Sequence, residues 1–175
     1  MQRNILEKYD RLVPRYTSYP TAPQFHDGIG SETYTDWLRN LDADIPLSLY
    51  VHIPFCDTMC WFCGCNTKVV NRYAPIEAYF DTLMDEIDLI AGILGPDRIA
   101  NHIHWGGGTP TILNPEHLLK LANKLRENFT LSPNAEFAVE IDPRELEDSG
   151  VEALAEGGIS RASIGVQDVN PIVQK

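Results

Sequence analysis

Hydrophobic and polar residues alternate from Leu47 to Phe55, the pattern of a half-buried β-strand. Every second residue from Leu47 onward is apolar, and the intervening positions carry Ser48, Tyr50 and His52. The same alternation recurs at three later places, around residues 102–105, 136–142 and 162–166. The chain therefore contains four predicted strands, each with one apolar face.

Helical periodicity separates these strands. A helix beginning near Pro75 and stopped by Gly95 places apolar residues three or four positions apart, at Ile76, Tyr79, Phe80, Leu83, Ile87 and Ile90. A second helix begins at the cap residue Asn114, and a third, weaker one ends at Gly157. Strands alternating with helices of ordinary length predict an α/β fold with a mainly parallel sheet.

Residues 1–45 show no sustained periodicity and contain several turn-forming residues: Pro14, Pro20, Pro23, Gly28 and Gly30. We therefore predict an irregular N-terminal arm over residues 1–45 and the folded α/β region over residues 46–175. Four basic residues make the first part of the arm cationic: Arg3, Lys8, Arg11 and Arg15. They suit either a solvated segment or one that folds over a site and binds carboxylates.

The polar faces of the predicted strands carry side chains that suit a ligand site: Tyr50, His52, His102, His104, Glu140 and Gln167. Each one alone is explained by an ordinary satisfied polar group, and for a single histidine that is the simpler interpretation. Four strands place such residues on the same face, toward their carboxyl ends. Because β/α folds bind ligands at that end of the sheet, we predict a ligand site there.

Composition narrows the functional classes. The 175 residues are the size of one domain, and the 43% hydrophobic content is enough for a core. No apolar run reaches the roughly 20 residues that cross a membrane, and no signal peptide is apparent, so we expect a cytoplasmic protein. The formal net charge of −11 argues against general nucleic-acid binding, which needs clustered Lys and Arg.

All four cysteines lie within ten residues. Cys56, Cys60 and Cys63 form a C-x3-C-x2-C pattern, and Cys65 follows after one glycine. Clustered thiolates suit zinc or an iron–sulfur cluster. A structural zinc site would need His52 or Cys65 to complete a crowded set, and a disulfide would be unusual without other signs of secretion. Three ligands on one loop favour a [4Fe–4S] cluster with one iron open.

The motif C-x3-C-x-aromatic-C, formed by Cys56, Cys60, Phe62 and Cys63, resembles the signature of the radical S-adenosylmethionine enzymes. The resemblance is restricted further by the segments on either side of the motif, Tyr-Val-His-Ile-Pro-Phe before it and Gly-Cys after it. They are similar to the oxygen-independent coproporphyrinogen III oxidase family, as is the Tyr-Thr-Ser-Tyr-Pro-Thr-Ala segment at residues 16–22. The resemblance implies an α/β open partial (β/α) barrel of the radical SAM type. We expect an N-terminal fragment of about four strands, lacking the rest of the barrel and a C-terminal domain.

The resemblance also implies roles for individual residues. Cys56, Cys60 and Cys63 would bind the cluster, and S-adenosylmethionine would occupy its open iron. The implied cofactor-binding residues are Tyr50, Phe62, Gly107, Gly108, Thr109, Glu140 and Gln167. Five of these match positions implied in binding a second S-adenosylmethionine: Phe62, Gly107, Gly108, Thr109 and Gln167. Cys65 is not a cluster ligand in the oxidases, and we predict a substrate-side or proton-transfer role for it, a small buried residue being the alternative.

The implied reaction is the oxidative decarboxylation of two propionates of coproporphyrinogen III to vinyl groups, giving protoporphyrinogen IX in anaerobic haem biosynthesis. A deoxyadenosyl radical would abstract a hydrogen from each propionate, which then loses carbon dioxide and one electron. The expected partners are coproporphyrinogen III and a flavodoxin- or ferredoxin-like reductant. Two alternatives stay open: a haem chaperone-like relative without oxidase activity, and a zinc-stabilised structural domain. Cys65 favours the enzyme, and we expect the isolated fragment to be inactive.

Overall fold

The computed structural model describes residues 8, 10, 20–61, 63–144, 146–166 and 168–172. Two of the predicted site residues, Phe62 and Gln167, lie outside the described residues. The same is true of residues 16–19 and of three basic residues of the arm: Arg3, Arg11 and Arg15. The chain divides into two compact units, residues 1–36 and 37–175, and each is described by itself.

The first unit contains a short 3-10 turn, Ala22–Gln24, and the beginning of helix α1, Ser31–Arg39. The expectation of an arm without regular structure was wrong at this helix. None of the α1 side chains is buried, although Tyr34, Trp37 and Leu38 recur at helical spacing over its nine residues. Glu32 in its first turn and Arg39 in its last instead complement the helix dipole. The boundary near residue 45 stays a prediction.

The second unit is built on a parallel sheet whose strands lie in the order β1 (Leu47–Ile53), β4 (Ile99–Gly107), β5 (Thr130–Ile141) and β6 (Arg161–Ile164). A separate parallel pair joins β2 (Phe55–Cys56) to β3 (Lys68–Val69). Three helices connect the strands of the main sheet: α2 (Ala74–Leu94), α3 (Pro115–Asn128) and α4 (Asp148–Glu156). This arrangement confirms the α/β fold and agrees with an open partial barrel.

One face of the sheet packs against the helices in a hydrophobic core. Val51 and Ile53 of β1 are buried there, and the rings of Trp105 and Phe137 meet edge to face with their centroids 5.1 Å apart. The helices contribute buried apolar residues to this core, most of them at the predicted positions: Ile76, Phe80, Leu83, Met84 and Ile87 from α2, Leu118, Leu121, Ala122 and Leu125 from α3, and Ala153 and Leu154 from α4. Met84 and Ala153 were not predicted, and Val151, predicted on the apolar side of α4, is 50% exposed. The polar residues of the strands lie on the other face of the sheet.

Helix α3 begins as the sequence predicted. The side chain of Asn114 accepts a hydrogen bond from the backbone N–H of His117 at 2.8 Å, and Pro115 occupies a first-turn position where no N–H is needed. Helix α2 ends at Gly95, which has a φ of 83°. Among the described helices, none is both long and apolar enough to cross a membrane.

The fourth strand is shorter than predicted. β6 ends at Ile164, and Ile164 and Val166 are 56% and 63% exposed instead of packing on the helix side. β6 is the last strand in the order of the described sheet and pairs with β5. An edge strand has a neighbour on one side only, so its apolar side chains bury less surface.

Candidate active site

The three predicted cluster ligands lie on the cysteine loop, residues 56–67, which is closed at its base by β2 and β3. Phe55 pairs with Lys68, and Cys56 pairs with Val69. The backbone N–H of Lys68 donates to the carbonyl of Pro54 at 2.8 Å. Strands of two residues are too short to show alternation, so the sequence did not predict this pair. The pair fixes both ends of the loop at the carboxyl end of β1.

The glycine-rich segment, residues 106–109, lies against the base of the cysteine loop. The backbone N–H of Gly108 donates to the carbonyl of Ile53 at 2.9 Å, and that of Thr109 donates to the carbonyl of Phe55 at 2.8 Å. Gly107 has a φ of 120°, and a Cβ there would lie 2.8 Å from the Ile53 oxygen. Glycine is therefore required for the close approach of two backbones, independently of any cofactor.

Two threonine hydroxyls flank the sulfur of Cys56. Thr67 Oγ1 lies 3.3 Å from that sulfur, and Thr109 donates to it at 3.5 Å. Thr109 is buried, whereas Cys56 is half-buried. Thr67 is absent from the sequence prediction because no pattern in the sequence marks it. Thr67 lies eleven positions after Cys56 in the sequence.

The second predicted ligand, Cys60, lies beside Arg144, whose Nη2 donates to the sulfur at 3.7 Å. Arg144 follows the carboxyl end of β5 and forms an ion pair with Asp142. The guanidinium hydrogen bonds hold the pKa of the Asp142 carboxyl below its ordinary value, and the same pair raises the pKa of Arg144. Arg144 was also missed by sequence analysis, since it lies far from the cysteines along the chain.

Cys63 and Cys65 complete the set of thiols. Cys63 is half-buried, and its backbone N–H donates to the carbonyl of Cys60 at 3.1 Å. Cys65 is exposed, yet the partial loss of solvent around its sulfur, a hydrogen bond with Cys63 and nearby negative charges, Glu140 among them, raise the pKa of its thiol. The Cys65 thiol therefore keeps its proton to a higher pH than an ordinary cysteine.

All four cysteines are free thiols, so the disulfide alternative is not seen. In the described part of the chain, no three His, Cys, Asp or Glu side chains stand together as a ready-made metal site. The sulfurs of Cys56, Cys60 and Cys63 are carried by one loop, and in a [4Fe–4S] cluster each of them would bind a different iron instead of sharing a single ion.

Tyr50 and His52 link β1 to the cysteine loop. The hydroxyl of Tyr50 lies 2.9 Å from His52 Nδ1, and His52 Nε2 lies 2.9 Å from the carbonyl oxygen of Asn66. Because a carbonyl only accepts, Nε2 carries the hydrogen, and in the neutral ring Nδ1 accepts from the Tyr50 hydroxyl. This chain of hydrogen bonds joins the polar face of the sheet to the residue after Cys65.

His104 and Glu140 form a second pair on the same face, with Nε2 and Oε1 3.2 Å apart. The ring of Tyr50 stacks on that of His104 at a centroid distance of 5.9 Å. Burial, followed by the negative charge of Glu140, raises the pKa of Tyr50. The structure thus groups Tyr50, His52, His104 and Glu140, whereas His102 lies opposite Ser48, two residues nearer the amino end.

The chain is similar to known oxygen-independent coproporphyrinogen III oxidases. It is 44% identical to that of Paracoccus denitrificans, over 99% of this chain and 39% of the relative, and 52% identical to that of Bradyrhizobium diazoefficiens, over 95% and 37%. Its structure resembles coproporphyrinogen III oxidase from Escherichia coli, a radical SAM enzyme, with a TM-score of 0.83 and 42% identity over 98% of this chain and 38% of that one. The chain spans less than two fifths of each relative.

The sequence also matches the model of the Radical SAM superfamily, over residues 50–175. That range begins at Tyr50 and contains the cysteine loop, the glycine-rich segment and Glu140. Because the match covers well over half of the chain, the chain belongs to the radical S-adenosylmethionine superfamily, which implies a [4Fe–4S] cluster and S-adenosylmethionine as cofactors.

Proposed function

We propose that the intact protein carrying this chain is an oxygen-independent coproporphyrinogen III oxidase. It would convert two propionates of coproporphyrinogen III to vinyl groups, giving protoporphyrinogen IX. The supporting observation is the 42–52% identity to oxidases across nearly the whole chain, cysteine loop included. The free thiols of that loop suit a reducing compartment, which supports the prediction of a cytoplasmic protein.

The residues present fit the cofactors that the superfamily implies. Cys56, Cys60 and Cys63 are a soft, three-donor set on one loop, which leaves one iron of a [4Fe–4S] cluster open. At Gly106, a Cβ would lie within 3.1 Å of Tyr50 and Glu140, so glycine lets these two side chains lie close to the β4 backbone on the polar face. When bound, the two cofactors together supply a carbon radical able to abstract hydrogen.

We assign binding of S-adenosylmethionine to residues on and around the polar face: Tyr50, Gly107, Gly108, Thr109 and Glu140, with Phe62 and Gln167 outside the described part. The Glu140 carboxylate suits an amino group. The Tyr50 hydroxyl donates a hydrogen bond to His52, so the lone pairs of its oxygen can accept a hydrogen bond from a ligand. A second S-adenosylmethionine at Phe62, Gly107, Gly108, Thr109 and Gln167 is the finer form of this proposal.

Cys65 is assigned a substrate-side or proton-transfer role. Its thiol is exposed, and its raised pKa keeps the proton on Sγ near neutral pH, so the thiol can donate a hydrogen bond toward a bound substrate. The electrons that start each turnover would come from a flavodoxin- or ferredoxin-like protein. Both assignments rest on the resemblance to the oxidases and on the position of Cys65 beside the three ligands.

Anaerobic reconstitution of the intact protein with iron and sulfide tests the proposal. We expect about four irons per chain, an EPR signal after reduction that changes when S-adenosylmethionine is added, and protoporphyrinogen IX formed from coproporphyrinogen III. Cys60→Ser is the control and should hold less iron. Stoichiometric zinc without a cluster would support the structural domain instead. Tight haem binding without turnover would support the chaperone-like alternative.

A further inference from the structure

Arg144 places a permanent positive charge beside a predicted cluster ligand. Its Nη2 donates to the sulfur of Cys60, 84 positions away in the sequence. The two meet because parallel strands place their carboxyl ends at one edge of the sheet, where both the cysteine loop and the turn after β5 emerge. None of the predicted roles described above involves Arg144.

Asp142 holds the Arg144 guanidinium in one orientation. Its two carboxylate oxygens accept from Arg144 Nε at 2.9 and 3.1 Å and from Nη2, and its Oδ1 accepts from the Arg144 backbone N–H at 3.1 Å. The Asp142 side chain is only 18% exposed. A planar guanidinium held by several charge-assisted bonds loses little further freedom when it binds another acceptor. The bond to Cys60 is therefore preorganised.

The charge of Arg144 distinguishes its contact from those made to Cys56. Thr67 and Thr109 offer neutral hydroxyls to the Cys56 sulfur, whereas Arg144 brings a full positive charge to the Cys60 sulfur. Adding an electron to a cluster makes it more negative. Hydrogen bonds to the ligand sulfurs and nearby charge therefore shift its reduction potential, and a cation favours the reduced form.

We propose that Arg144 is a positioning residue for the iron–sulfur cluster, which orients the Cys60 sulfur and raises the midpoint potential of the bound cluster. The Cys60 side chain gains a fixed direction in this way. The raised potential makes the cluster easier for a protein reductant to reduce. Arg144 thereby opposes the effect of the net charge of −11, which disfavours adding an electron. This inference depends on the cluster of the superfamily and not on the substrate proposed above.

The test compares Arg144→Gln with Arg161→Gln in the reconstituted intact protein. Both changes remove one positive charge from an arginine that is paired with a carboxylate and has a similarly exposed side chain, 53% for Arg144 and 55% for Arg161. The midpoint potential is measured by EPR-monitored titration with dithionite, without S-adenosylmethionine or porphyrinogen. Iron release to a chelator is the second readout. Neither measurement requires oxidase activity, so this test can succeed or fail independently of the test of the proposed function.

We expect Arg144→Gln to lower the midpoint potential and to release iron about tenfold faster, with Arg161→Gln matching the wild type. Arg144→Lys keeps the charge but cannot form the same fork with Asp142, so its potential should lie between those of the wild type and Arg144→Gln. Wild-type potential and iron release in Arg144→Gln would overturn the inference. If Arg144→Gln holds no cluster, Arg144→Lys decides: a potential below that of the wild type supports the inference, and one equal or higher overturns it.

Discussion

A Cβ atom on Gly108 would lie 2.9 Å from the sulfur of Cys56 and 2.5 Å from the carbonyl oxygen of Phe55. Side chains do not approach neighbouring atoms this closely, so the glycine-rich segment and the cysteine loop meet through their backbones. The Phe55 oxygen also accepts from Thr109 at 2.8 Å, which leaves little room for adjustment. The position of the first predicted cluster ligand thus depends on a glycine that follows a different strand.

Gly108→Ala should therefore disturb both the fold and the cluster. We expect a loss of about 1–3 kcal/mol in the free energy of unfolding, the usual effect of overpacking, together with a lower iron content after reconstitution. Gly92→Ala is the matched control, since it lies within α2 with nothing inside 4 Å of its added Cβ. That change should stabilise the protein by about 0.5–1 kcal/mol. Wild-type melting and full iron content in the Gly108→Ala variant would contradict the close contact.

His52→Ala removes the hydrogen bond that holds the cysteine loop to β1 at Asn66. We expect the free energy of unfolding to fall by about 1 kcal/mol and iron retention to decrease, because the loop then has fewer fixed points. His102→Ala on β4 is the control, because His102 is exposed and lies opposite Ser48 instead of in the Tyr50 group. Equal iron retention in the two variants would show that the Asn66 contact does not order the loop.

Asp142→Asn should destabilise the protein in a pH-dependent way. The pKa of Asp142 is lowered in the folded state from an ordinary value of 3.8, so the folded protein favours the carboxylate. Its stabilisation is fully present above the unfolded pKa and is lost as the pH falls from about 4 through the lower folded pKa. We expect a deficit of about 1 kcal/mol at pH 7 that shrinks toward pH 3, measured by urea unfolding. A deficit that stays constant with pH would show that the effect is not due to the ion pair.

Cys65→Ser separates cluster binding from turnover. If Cys65 transfers a proton to the substrate and does not ligate iron, the serine variant of the intact protein should hold wild-type iron but convert coproporphyrinogen III at least about 100-fold more slowly. Serine preserves size and polarity but is a far weaker acid than a thiol. Unchanged turnover would remove the proposed role, and lost iron would indicate that Cys65 helps to hold the cluster.

Local patterns predicted most of the fold because their causes are local. Period-two alternation located β1, 3.6-residue periodicity located the buried stripes of α2 and α3, and Asn114 followed by Pro115 marked the start of α3. Helix α1 escaped detection because it has only nine residues, so its apolar positions Tyr34, Trp37 and Leu38 do not form a sustained pattern. The predicted fourth strand was too long because the alternation continues past Ile164, where β6 ends.

The sequence by itself determined the order along the chain of the four main strands and the three helices between them, the three-cysteine motif and the polar face that holds Tyr50 and Glu140. Each depends on the spacing of residues along one segment. Tertiary structure alone decided that Gly108 packs against Cys56, that Thr67 bonds to the same sulfur, and that Arg144 reaches Cys60. The physical reason is that parallel strands bring their carboxyl ends to one edge, so the loops that follow them meet although their residues are far apart in the chain.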